Sequence, residues 1–72
     1  MINIIGIENL FPNLKISVNR ERQKGIVIHY TFKITDGKNE IIHSVFAKHL
    51  VTIRSLKMLE DEIMEKCKLL TR

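Results

Sequence analysis

His29, His43, His49 and Cys67 are the side chains of this chain with metal-ligating chemistry, and Cys67 is its one thiol nucleophile. No two of them stand at the short spacings that let one turn or helix present a pair of ligands, so a zinc site would require distant segments to converge. Histidines on a surface or in a turn need no such arrangement, and no metal is expected. Cys67 falls at helical spacing with Leu59, Ile63 and Leu70. On that face a thiol behaves as a small hydrophobe, and nothing in the sequence places a base or a cationic pocket beside it. A nucleophile, a base and oxyanion donors cannot be assembled from these residues with any specificity. The chain therefore reads as not an enzyme, with no catalytic residue and no cofactor.

Glu60 is the one acid inside the apolar arc of the C-terminal segment. An unpaired buried carboxylate is costly, so Glu60 must reach the edge of that face, meet a basic strand residue, or stay protonated in a ligand pocket.

The remaining chemistry is cationic. Residues 14–57 carry nine Lys or Arg against Glu21, Asp36 and Glu40, while residues 1–13 and 58–72 are each slightly acidic. The overall charge of +4 is therefore concentrated on the strands, their turns and the helix entry. Lys15, Arg20, Arg22, Lys24, Lys33 and Lys38 form the strand and turn set, and Lys48, Arg54 and Lys57 form a basic corner at the helix entry. Such a distribution suits a nucleic acid or an acidic protein partner, and a solvated basic surface is its simpler reading. Arg54 and Lys57 stand where the helix dipole disfavours cations. Either the helix begins earlier, or Glu60 and Asp61 neutralise Lys57, or the two cations serve a ligand.

The elements that must hold these residues follow from periodicity. Leu14, Ile16 and Val18 alternate with Lys15, Ser17 and Asn19, which predicts a half-buried strand over residues 14–19. Residues 20–25 read as a charged turn closed by Gly25. Ile26, Ile28, Tyr30, Phe32 and Ile34 then alternate with Val27, His29, Thr31, Lys33 and Thr35 in the strongest strand pattern of the chain. Asp36-Gly37 marks a second hairpin turn. The returning strand, residues 41–47, has mixed parity, and more than one register would satisfy it, so the direction of His43 and Ser44 is open. Phe46 reads as core with Phe11, Tyr30 and Phe32, which leaves no aromatic on the polar strand face. Ile53, Leu56, Leu59, Ile63, Met64, Cys67 and Leu70 share an arc of about 140° on a helix spanning residues 53–69. Thr52 is placed to cap that helix, Lys57 and Glu62 are each four residues from an opposite charge, and Lys66, Lys68 and Arg72 suit its C-terminal end. Pro12 breaks the chain after residues 2–10, which read as a short strand or one or two helical turns.

The expected fold is therefore α+β: a three-stranded antiparallel sheet packed against one long C-terminal helix, with a short N-terminal element, in a single domain over residues 1–72. Ile28, Phe32 and Leu56 are expected to meet between the layers, and Arg22 and Lys33 to share a basic surface. Seventy-two residues bury only about 60% of the surface of the unfolded chain, so spare apolar surface matters. Val51, Met58 and Leu69 align away from the core seam and point to contact with a second copy or a partner. One Cys excludes an internal disulfide and fits a cytoplasmic setting, and the apolar start is too short and lacks the basic residues of a secretory leader. No segment is long enough to span a bilayer as a helix.

The element order over residues 14–70 resembles the small DNA-binding domains at the amino end of some phage and transposon integrases, where three antiparallel strands rest on a C-terminal helix. The resemblance is one of architecture and implies a non-enzymatic nucleic-acid-binding module. Two other functions fit the same residues. One is a phage-like or mobile-element regulator that binds an acidic surface of a host protein, working as a homo-oligomer. The other is a small-ligand binder built at a dimer interface.

Overall fold

Alternation in the strands and helical spacing in the last third of the chain produce two layers. The computed structural model describes residues 2–71. In order these form helix α1 (Ile4–Leu10), strands β1 (Lys15–Gln23), β2 (Ile26–Thr35) and β3 (Glu40–Phe46), a single 3-10 turn at Ala47–His49, and helix α2 (Ile53–Leu70). The sheet is antiparallel with β2 in the centre, and α2 covers one of its faces. The protein is thus α+β, with a short N-terminal helix beside the sheet and long helix. None of the described helices is long and apolar enough to cross a membrane.

The core forms where the two periodicities meet. Leu14, Ile16, Phe32 and Ile34 from the sheet side pack with Leu59, Ile63 and Cys67 from α2, and Ile2 and Ile7 close one end. Leu56, Met64 and Leu70 pack on this cluster from the flanks of α2, as their spacing predicts. Ile53 does not join it. It is 87% exposed, because it opens the helix, where the chain is still approaching the sheet. Thr52 caps α2 in a reciprocal box: Ser55 N–H donates to Thr52 Oγ1 at 3.0 Å, and Thr52 N–H donates to Ser55 Oγ at 3.1 Å. Arg72, expected to favour the C-terminal end of α2, lies outside the described residues.

Residues 2–10 resolve into a helix. Asn3 Oδ1 accepts from Gly6 N–H at 2.9 Å to cap α1, and the helix ends at Phe11, before Pro12. Glu8 Oε2 accepts the backbone N–H of Ile16 at 3.0 Å and so fastens α1 to the outer edge of β1.

The first hairpin is longer than its charge pattern suggests. β1 continues through Arg20, Glu21, Arg22 and Gln23, and only Lys24 and Gly25 turn, with φ of 53° and 80°. Two successive positive-φ residues give the turn whose twist matches antiparallel strands. Residues 19–26 are all exposed, so this end of the hairpin stands clear of the core. The second hairpin turns through residues 36–39. Asp36 Oδ1 accepts from the N–H groups of Lys38 and Asn39, and Gly37 has a φ of 96°.

Pairing between β1 and β2 slips by one residue after Glu21. His29 faces Glu21, but Val27 faces Arg22, so Ile28 is the extra residue of a bulge. Strict alternation fails there. Ile26 pairs with Gln23 and is 68% exposed instead of lining the core with Phe32, and Ile28 is also absent from the core cluster.

The β2–β3 register settles the mixed strand. Ile34 faces Ile41, Phe32 faces His43 and Tyr30 faces Val45, which turns His43 toward α2. Lys33 faces Ile42, Thr31 faces Ser44 and His29 faces Phe46 on the other side. Phe46 is therefore not core: it stands on the helix-free face, 54% exposed. Ala47 belongs to the 3-10 turn and not to the strand.

Candidate nucleic-acid interface

β-strand alternation and the two registers decide which side of the sheet each cation occupies. Lys15, Ser17, Asn19 and Glu21 of β1 share the helix-free face with Thr35, Lys33, Thr31 and His29 of β2. Arg20 and Arg22 alternate to the opposite side. There the Arg20 guanidinium lies 5.9 Å from the centroid of the Tyr30 ring, close enough for a cation–π contact. Arg22 and Lys33 thus belong to opposite faces and to opposite ends of the hairpin, contrary to the expectation that they share one surface.

The helix-free face is nearly neutral. Lys33 Nζ lies 3.2 Å from Glu40 Oε2, and Glu21 Oε2 lies 3.8 Å from His29 Nδ1. With Lys15 as the further cation, acids and bases balance along these rows. Lys38 stands apart in the second turn, at the other end of the sheet from the first.

Positive charge gathers at the end of the first hairpin. Arg20, Arg22 and Lys24 occupy it, and Lys48 of the 3-10 turn joins Gln23, Ile26 and Phe46 around a shallow groove of about 530 Å³. Among the described residues none of these four cations is held in an ion pair.

Phe46 is the aromatic member of this end. Its ring centroid is 5.2 Å from that of His29 at an interplanar angle of 60°, and 6.0 Å from that of His49 at 81°. Lys48 Nζ lies 5.6 Å from the same centroid. Sequence reasoning missed Phe46 because adjacent apolar residues in β3 gave it no parity. The signal that would have found it is the pairing of His29 with the end of β3.

Of the helix-entry corner, Lys48 lines the hairpin groove and Arg54 and Lys57 do not. Lys57 Nζ donates to Asp61 Oδ1 at 3.1 Å, and this hydrogen bond, with the charges of Asp61 and Glu60, holds the ammonium pKa above its ordinary value. Arg54 is exposed on the first turn of α2 without an ion pair among the described residues. Glu62 is four residues from Lys66 but turns to the sheet, with Oε2 3.0 Å from His43 Nε2.

Glu60 lies at the rim of the packed face, where it lines a shallow groove with Ile2, Ile53, Leu56 and Lys57, and its Oε2 accepts from Asn3 N–H at 3.4 Å. No polar or charged side chain among the described residues is buried, so the alternative of a buried protonated acid is removed. Cys67 is fully buried, and burial pushes its thiol pKa up, which keeps it protonated and inert. Among the described residues no three His, Cys, Asp or Glu side chains gather around a point that could hold a metal ion.

Val51, Met58 and Leu69 are each more than half exposed. Met58 and Leu69 border separate grooves between α2 and β3, the first with Val45 and His49, the second with His43 and Glu65.

Compared with known proteins, the chain matches no family model, no curated protein and no solved structure.

Proposed function

We propose that this protein is a non-enzymatic nucleic-acid-binding module whose phosphate contacts come from the hairpin end. The observation that carries the reading is a set of four cations without ion pairs among the described residues: Arg20, Arg22 and Lys24 on an exposed projection whose one acid is Glu21, and Lys48 of the 3-10 turn beside it. Lys33 and Lys57, each held by a carboxylate, contribute less, and Lys15, Lys38 and Arg54 add a weaker general field.

Lys24 supports the same reading. It occupies a left-handed position that favours Asn or Gly, at a cost of roughly 1–2 kcal/mol in the backbone. At the tip of the hairpin its ammonium is exposed and open to a phosphate.

Fluorescence anisotropy of a labelled oligonucleotide across a salt series tests the reading. About four phosphate contacts give a log–log salt slope of about −3. Replacing both Arg22 and Lys24 by Ala lowers the size of that slope by about 1.5. Absence of binding at low salt, or binding indifferent to salt, rejects it.

A second reading is favoured by the exposure of Val51, Met58 and Leu69: a regulator that docks on an acidic protein surface and assembles with itself through these apolar side chains. It expects a protein-concentration-dependent mass in ultracentrifugation that Met58→Ala with Leu69→Ala abolishes. One monomer mass at all concentrations removes it.

A further inference from the structure

Resting on the nucleic-acid reading, we propose that the preferred ligand is a single strand, laid on the helix-free face of the sheet with an unpaired base stacked on Phe46.

Three features of that face distinguish a single strand from a duplex. The first is Phe46 itself, an apolar ring left 54% exposed at the end of a strand whose other face packs on the core. Neither neighbouring imidazole lies parallel to it, at 60° and 81°. A flat ring in this position accepts the face of a base, which is available in a single strand and already occupied by neighbours within a duplex.

The second is the distribution of charge. Lys15 and Lys33 are balanced on this face by Glu21 and Glu40, so the face as a whole does not attract the dense charge of two phosphate backbones. Cations instead stand at its margin: Lys48 Nζ is 5.6 Å from the Phe46 centroid, and Lys24 turns the hairpin next to Gln23 of the same groove. That pattern places bases on the sheet and phosphates along its rim.

The third is the row beside Phe46. Asn19, Thr31 and Ser44 face one another across the three strands and offer uncharged donors and acceptors to base edges. The groove of about 530 Å³ at Phe46, walled by Ile26 and Ile28, falls within the usual size of a small-molecule site and admits a base. The bulge at Ile28 is what opens it, because the slip turns Ile26 out of the core and toward this end of the face.

The test uses a labelled mixed-sequence oligodeoxynucleotide of about twelve residues, free and annealed to its complement. Wild type is expected to bind the free strand about tenfold more tightly than the duplex. Phe46→Ala and Phe46→Leu are expected to lose about tenfold on the single strand alone, with unchanged thermal unfolding because the ring is outside the core. Phe46→Trp keeps a flat ring and, since the chain has no Trp, reports stacking directly as fluorescence quenched by the single strand. Equal affinity for strand and duplex overturns the inference, as does unquenched Trp emission at saturation or wild-type affinity in the Ala and Leu variants. If the Arg22→Ala, Lys24→Ala double variant still weakens binding in those cases, the nucleic-acid reading survives and only the single-strand preference fails. No salt-sensitive binding of either probe removes both.

Discussion

Glu62 Oε2 lies 3.0 Å from His43 Nε2, a polar contact that joins α2 to β3. The contact ties Glu62 to β3 and not to Lys66, its neighbour at helical spacing, on a helix whose packed face is set by Leu59, Ile63 and Cys67. Glu62→Ala is expected to lower stability by about 1 kcal/mol, read from urea unfolding. Glu65→Ala removes only a contact to Lys68 on the helix surface and should cost less than about 0.5 kcal/mol.

Ile63 and Ile53 are the same residue type on one helix with opposite surroundings. Ile63 is fully buried and Ile53 is 87% exposed. Ile63→Ala should cost about 2–5 kcal/mol and Ile53→Ala less than about 0.5 kcal/mol in the same unfolding assay. Comparable losses at the two sites would contradict the placement of Ile53 clear of the core.

Lys24 sets stability against binding. Lys24→Asn relieves its left-handed backbone and completes an Asn-Gly turn, so the variant should be more stable by about 0.5–1 kcal/mol. Its affinity for an oligonucleotide should fall, with a salt slope smaller by about 1. A gain in stability with unchanged affinity would take Lys24 out of the interface.

Asp36 supplies a pH dependence. Hydrogen bonds from the Asn39 and Lys38 backbone N–H groups hold its carboxyl pKa below the ordinary value. A folded value lowered below the unfolded one means that ionised Asp36 stabilises the turn above the usual carboxylate range, and that this support is lost as pH falls through the lowered value. Side-chain carboxyl shifts followed by NMR should give Asp36 a midpoint below that of an Asp in an unstructured peptide, and Asp36→Asn should weaken the acid dependence of the turn amides.

The two layers were legible because two strong periods run through the chain. Phe32 and Ile34 alternate with Lys33, and Leu59, Ile63 and Cys67 recur at helical spacing, so each buried set names its own partner. The Asp36-Gly37 turn was legible from residue chemistry. The bulge at Ile28 was not, because an inserted residue leaves the apolar pattern of β2 intact and is set by pairing with β1. His43 and Phe46 were hidden by the adjacent Ile41 and Ile42, which satisfy either face until cross-strand neighbours choose one. The charged end of the first hairpin was read as turn because residues 20–23 have no apolar alternation, although an exposed two-stranded ribbon needs none. These omissions fall together at the candidate interface: the displaced Ile26, the outward Phe46 and the extended Arg20 to Gln23 segment all lie where the hairpin leaves the core and local rules stop serving burial.

Glu8, lodged against the Ile16 amide, gives the two rims of the sheet unequal fates. One margin is partly closed by the chain's own carboxylate, whereas among the described residues β3 forms the other with no strand beyond it. A further strand approaching β1 would have to displace that carboxylate from the Ile16 amide.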